Sequence, residues 1–256
     1  MGARLGIENH VATITIDNPP LNLLDRAVRA EVLARMNAAV EDGGVRAIVI
    51  TGAGERSFSA GSDIREFVDD IRRNRGAERA EHEYELLKQI ATCPKPTIAA
   101  IEGYALGSGC ELAMACDFRV AGEGARLGFP EIKLGVFPIN TVERSLLLLG
   151  EAKTKELMFF GDPISADEAA RIGLLHRVVP TGHAMTAARE LAERLARLPG
   201  ATLTELKGLT ARHSLEPFEA GGRLAREAAA RVFRTEDFRE GVAAFLEKRE
   251  PRFRHR

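Results

Sequence analysis

The chain has 256 residues, 45% hydrophobic and 29% charged, which is core enough for one large domain and excludes wholesale disorder. Its 36 Lys and Arg balance 37 Asp and Glu to a formal net charge of −1, which excludes the strong positive field of a dedicated nucleic-acid binder. Three cysteines spaced 17 and 6 residues apart fit neither a disulfide framework nor a zinc motif, and no apolar run approaches the ~18 residues of a membrane span.

Residues 11–16 are largely β-branched and predict a strand with Ala12, Ile14 and Ile16 on one face. Asp17-Asn-Pro-Pro20 stops it. Asp25 is the expected N-cap of a helix whose buried stripe is Val28, Val32, Met36 and Val40, ended at Asp42-Gly-Gly44. The apolar run 46–51 predicts a strand buried on both faces, so strand, helix and strand form a right-handed crossover unit. A Gly/Ser-rich loop follows from Thr51 to Asp63. The charged stretch 65–83 carries no apolar core signal and is expected to be a mobile helix or loop over a site. A helix over 80–91 runs to Pro94 and Pro96, and Thr97–Ile101 is the next buried strand. Gly103-Tyr-Ala-Leu-Gly-Ser-Gly109 leads into a short apolar helix at 109–116, followed by short strands near 118–121 and 125–129. Beyond 140 the pattern is helical, at 141–149, 152–160, 165–172, 183–197, 201–213, 216–232 and 235–247, interrupted by a Val178-Val179 strand. The expected organisation is an α/β core over 1–195 and a helical extension over 196–256, without internal repeats.

Several common signatures are absent. There is no Gly-Lys-Ser/Thr of a P-loop, no complete dinucleotide fingerprint after Gly52 or Gly107, no Gly-x-Ser-x-Gly elbow and no zincin pair at His82-Glu83. The first residues lack the apolar stretch of a signal peptide, and Gly6 stands where a myristoylation signal needs Ser or Thr. Two Gly-rich loops remain, Phe58-Ser-Ala-Gly-Ser-Asp-Ile64 and Gly103–Glu111. Small residues let a ligand approach the backbone, and a loop running into a helix presents free N–H groups at the positive end of its dipole. Two such loops can aim two amides at one oxygen, an oxyanion hole, although each alone is also what a tight turn looks like. Glu111 sits in the apolar run Cys110–Cys116, where an unpaired carboxylate is costly. Glu131 follows Phe129-Pro130, a place equally suited to a simple helix-start charge.

Together, Phe58-Ser-Ala-Gly-Ser-Asp-Ile-Arg65, Pro94-Lys-Pro-Thr-Ile-Ala-Ala100, Gly103–Asp117 and Pro130-Glu-Ile-Lys-Leu-Gly135 resemble the enoyl-CoA hydratase/isomerase family, the crotonase fold, over roughly residues 10–250. Ile164–Ala169, Gly173-Leu174 and Phe245-Leu-Glu-Lys-Arg249 extend the likeness. The resemblance implies an α/β spiral of ββα turns and a helical C-terminal region that builds trimers or hexamers. It implies an acyl-CoA thioester substrate, no cofactor beyond the CoA that the substrate carries, no metal, no membrane or nucleic-acid partner, and a cytoplasmic location. By position, Ser62 and Ser108 supply the oxyanion amides, with the Ser62 hydroxyl incidental. Leu21, Ala60, Asp63 and Ile64 border the CoA arm and thioester, and Lys248 meets a CoA phosphate, of the same or a neighbouring subunit. Glu111 activates water and Glu131 delivers a proton, the pair that distinguishes hydratases. The implied reaction is hydration of 2-enoyl-CoA to 3-hydroxyacyl-CoA in fatty-acid or related breakdown.

Two departures bear on that reading. Ser108 stands where the family usually has Gly, and Phe137-Pro138-Ile-Asn-Thr-Val-Glu143 lacks the Gly pair that helps hold the catalytic water, leaving Asn140 or Thr141 as water-positioning substitutes. They keep open another enolate-based reaction on acyl-CoA: isomerisation, decarboxylation or C–C cleavage. One branch of the family binds RNA. Arg72, Arg73, Arg75 and Arg79 are flanked by Asp69, Asp70, Glu78, Glu81 and Glu83, however, which reads as a solvated mixed-charge face.

Overall fold

The computed structural model describes residues 2–210, 229–231 and 233–252. The chain opens with a hairpin, β1 (Gly2–Glu8) and β2 (Val11–Asp17), then α1 (Arg26–Glu41). Three similar turns follow. The first runs β3 (Ala47–Gly52), β4 (Ser57–Ser59), α2 (Arg65–Arg72) and α3 (Gly76–Thr92). The second runs β5 (Thr97–Ile101), β6 (Tyr104–Leu106) and α4 (Ser108–Ala115). The third runs β7 (Phe118–Gly122), β8 (Arg126–Gly128), a 3-10 turn (Pro130–Leu134) and α5 (Val142–Phe160). Then come β9 (Ile164–Ser165), α6 (Ala166–Arg171), β10 (Arg177–Val179), α7 (Ala184–Ala196), α8 (200–210) and α9 (Glu236–Glu247).

Each turn gives one strand to each of two sheets before its helix. The larger sheet is ordered β1-β2-β3-β5-β7-β10 and the smaller β4-β6-β8-β9. All pairs within the larger sheet beyond the β1–β2 hairpin are parallel. This is the expected spiral of ββα turns, with β2–α1–β3 as its crossover unit.

The alternation along the strands sends side chains to two different cores. Ile48 and Ile50 of β3 face α1, where Val28, Val32 and Met36 are buried as the stripe requires. Ala47 and Val49 face α7 through Ala184, Ala188 and Ala192. A strand enclosed on both faces reads as a continuous apolar run, which is why β3 and β5 are legible in the sequence. Asp25 Oδ1 accepts from the Val28 N–H at 2.8 Å and caps α1 as expected. Buried Arg119 stops α4 at its other end, donating to the carbonyls of Ala113, Met114 and Cys116 and fixing the helix that carries Glu111.

The charged stretch 65–83 departs from expectation. It forms α2 and most of α3, with Phe67, Asp70, Arg79, Ala80 and Glu83 buried. Its apolar residues join a third core with Val136, Ile139, Phe233, Phe238 and Val242, which brings α9 against α2 and the 3-10 turn. Strands β1, β4 and β6 were not expected: β1 is an exposed edge with two glycines, and the other two have three residues each inside the Gly-rich loops. The helices 141–149 and 152–160 are one element kinked at Gly150. The expected helix over 216–232, and the end of that over 201–213, lie largely outside the described residues.

Candidate active site

The two Gly-rich loops lie side by side. Ala60 N–H donates to Leu21 O at 3.0 Å, and Leu24 N–H to Gly61 O at 2.8 Å, tying the first loop to the turn after Pro20. Asn22 pins that turn from inside, donating from Nδ2 to Ser57 O at 2.6 Å and Ala53 O at 3.0 Å. Gly61 has φ +97°, and a Cβ there would come within 2.8 Å of Leu106 O, so only glycine lets the second loop pass this close. Ser108 opens α4, so its N–H belongs to the first-turn amides that have no carbonyl partner within the helix. The Ser62 and Ser108 hydroxyls are 2.7 Å apart.

Glu111 is buried and Glu131 half-buried against these loops. Glu111, in the first turn of α4, is 2% exposed and accepts from the Asn140 N–H at 3.3 Å. Glu131 sits in the 3-10 turn, and a Cβ on Gly107 would lie 3.1 Å from its Oε1, so the carboxyl rests on the second loop. Burial pushes both well above the ordinary carboxylate range, Glu131 to about 8. The negative charges of Glu131 and then Glu83 push Glu111 further, while the Asn140 amide pulls it back. Two such neighbours titrate as a pair.

Beneath the loops lies a charge network that the sequence reading took for a solvated face. Arg29 Nη2 donates to Glu83 Oε1 and to Ser62 Oγ, each at 2.7 Å. Arg79 lies within ion-pair distance of Glu66 (3.1 Å), Asp70 (3.0 Å) and Glu83 (3.1 Å) and stacks over the Phe67 ring at 4.3 Å. Burial alone would raise Glu83, but Arg29 and Arg79 outweigh it and hold the carboxyl below its usual value. A signal existed: Arg29 stands three residues before Val32 and seven before Met36, on the apolar stripe of α1, and Glu83 stands likewise before Leu86, Leu87 and Ile90 on α3.

A cavity of about 720 Å³ brings the expected residues together. Leu21, Ala60, Ser62, Asp63, Ile64, Ser108, Glu111, Glu131 and Lys248 all line it, as do Arg79 and Glu83. Asp63 is lowered by the Arg65 guanidinium, which it holds at 2.6 Å. Lys248 ends α9 in a left-handed conformation at the cavity rim. The Asn140 side chain donates from Nδ2 to Ala80 O at 3.2 Å, and its main-chain N–H reaches Glu111. The Ser62 hydroxyl does not stand free, since Arg29, Glu83 and Ser108 all bond it.

Residues 6–256 match the sequence profile described as Enoyl-CoA hydratase/isomerase. A Bacillus subtilis (strain 168) protein named "Probable enoyl-CoA hydratase" is 39% identical over 252 residues, covering 98% of this chain and 97% of that protein. The "Crotonyl-CoA hydratase" of Syntrophomonas wolfei is 34% identical over 249 residues, covering 96% of this chain and 95% of its own. Among solved structures, an enoyl-CoA hydratase/isomerase from Xanthobacter autotrophicus Py2 superposes with a TM-score of 0.87 at 29% identity, covering 99% of this chain and 98% of that one.

Proposed function

The chain belongs to the enoyl-CoA hydratase/isomerase family, and from that premise we infer that it is a lyase adding water across the double bond of 2-enoyl-CoA thioesters to give 3-hydroxyacyl-CoA. The single observation that carries hydration over the other family reactions is that two carboxyls, Glu111 and Glu131, both raised by burial, line one cavity with the two Gly-rich loops. In this reading the thioester oxygen accepts from the Ser62 and Ser108 N–H groups. Glu111, which accepts from the Asn140 N–H, takes a proton from water as its oxygen bonds C3. The π electrons move onto the thioester oxygen as an enolate, which then collapses as C2 takes the proton of Glu131. The proton left on Glu111 resets the pair. General acid–base groups contribute ~10²–10⁴ in rate and an oxyanion donor ~10²–10³.

Leu21, Ala60, Asp63 and Ile64 border the CoA arm, with Lys248 placed for a CoA phosphate. CoA enters as part of the substrate, and no further cofactor is required by the scheme. The helical extension after residue 195 serves assembly into three or six copies, a reading supported by its exposed apolar residues Leu198, Leu206 and Leu209. A cytoplasmic setting is in keeping with three free, buried cysteines, and no helix among the described residues is long and apolar enough to cross a membrane. The test is product analysis on a panel of 2-enoyl-CoA thioesters beginning with crotonyl-CoA. The expected product is the 3-hydroxyacyl thioester; migration of the double bond or release of carbon dioxide in its place overturns hydration.

A further inference from the structure

The two residues assigned to the oxyanion hole are joined through their side chains, and that join stands on an ion pair. Ser62 Oγ has one proton to give and two lone pairs to fill. Arg29 Nη2 can only donate, and it fills one lone pair at 2.7 Å. Glu83, ionised between two guanidinium groups, can only accept, and it takes the Ser62 proton at 3.2 Å. The bond between Ser62 and Ser108 at 2.7 Å therefore has one possible direction: Ser108 donates and Ser62 accepts. Every capacity of the Ser62 hydroxyl is then used. The remaining Arg29–Glu83 bond, also 2.7 Å, closes the arrangement between α1 and α3, and Arg29 and Glu83 are both buried.

We propose that the Arg29–Glu83 pair and the Ser62–Ser108 hydroxyl bond act together as a positioning device that sets the spacing of the two oxyanion amides. This rests on the assignment of those amides above. The two loops belong to successive turns of the spiral; backbone pairing of β4 with β6 joins them as far as Ser59 and Ala105, and Ser62 and Ser108 lie beyond it. The clasp joins them at the residues whose N–H groups share one oxygen. Arg29 and Glu83 are positioning residues: they act on the thioester only through Ser62. The hydroxyl of Ser108 is what permits the link.

The test removes the hydroxyls without touching charge or the main-chain donors. Ser62→Ala and Ser108→Ala are each expected to lower kcat for crotonyl-CoA by about tenfold with KM nearly unchanged, the scale of a modest misplacement in a preorganised site. The double variant is expected to lose no more than the worse single one, because both break the same bond. Ser108→Thr, which keeps the hydroxyl, is expected to recover most of the rate. Arg29→Met combined with Glu83→Gln removes the pair at constant net charge and is expected to match Ser62→Ala. Circular dichroism establishes that each variant folds. A readout independent of turnover is the infrared carbonyl stretch of bound butyryl-CoA, which cannot be hydrated. In the alanine variants it is expected to move toward its value in free thioester. If the folded alanine variants keep wild-type kcat and the wild-type stretch, the clasp has no positioning role; should the charge pair not fold without its partners, the serine variants alone decide. A protein that hydrates no enoyl-CoA yet shows the clasp-dependent stretch overturns the hydratase reading and leaves this proposal standing.

Discussion

Moving a carboxylate out of water raises its pKa because the charged form loses its hydration. Glu111 and Glu131 both carry that shift, and its sign sets two predictions. A folded-state pKa above the unfolded value contributes stability that is complete below the unfolded value and is lost as pH rises through the folded one. For Glu131 the window runs from the ordinary Glu range near 4.3 up to about 8. Glu131→Gln, an uncharged mimic of the acid form, is therefore expected to melt at about the wild-type temperature near pH 5 and several degrees above it near pH 8, at about 2–4 °C per kcal/mol. In the proposed mechanism the same proton is delivered to C2, so wild-type kcat is expected to fall on the alkaline side as the pair loses it. Glu111→Gln and Glu131→Gln are each expected to lose at least ~10² in crotonyl-CoA turnover while still binding the thioester, read by spectrophotometric assay and calorimetry. Glu111 was legible because a carboxylate in an apolar helix is conspicuous, and Glu131 because Pro130 and the motif around it are. Arg29 and Glu83 each stand on an apolar stripe, but their pairing was not legible, since they lie 54 positions apart and meet only in space.

At the scale of elements, composition misleads where charge is turned inward. The stretch 65–83 looks solvated because more than half its residues are charged, yet Asp70 is 1% exposed and lies within 3.4 Å of Arg26, Arg75 and Arg79. The pattern of charges cannot reveal this, because an ionic network and a wet face use the same residues at the same helical spacing. Energetics separates them. Removing one partner of a buried pair costs about 3–5 kcal/mol, while an exposed charge changes stability by at most ~0.5 kcal/mol. Asp70→Asn is expected to destabilise by about 3 kcal/mol in urea unfolding, and Glu78→Gln, on the exposed side of α3, to be neutral. Equal effects from the two would mean that α2 and α3 are held by their apolar residues alone. The strands tell the opposite story: β2, β3 and β5 are legible because each is long enough to show its period, and β4 and β6 are not, because three residues have none.

For the whole molecule, two apolar regions have different destinies. In α9, Val242 and Phe238 pack inward on Phe67 and Phe233, while Phe245, Leu246 and Lys248 form part of the cavity wall. Removal of residues 235–256 is therefore expected to abolish turnover as well as to lower solubility. At the end of α5, Phe159 and Phe160 are 66% and 67% exposed, with Ile132 nearby against the Gly161 turn. An apolar surface of that kind on a closed, symmetric assembly faces a second copy. The cavity lining runs from Leu21 to Pro251 and includes neither Phe159 nor Phe160, so loss of that apolar contact is expected to leave the cavity wall intact. Phe159→Glu combined with Phe160→Glu is expected to shift the mass in light scattering from three or six copies toward one, while each dissociated chain keeps its crotonyl-CoA turnover. Loss of turnover in a folded, dissociated variant would mean that a neighbouring copy completes the site; an unchanged mass would mean that the copies meet through another face.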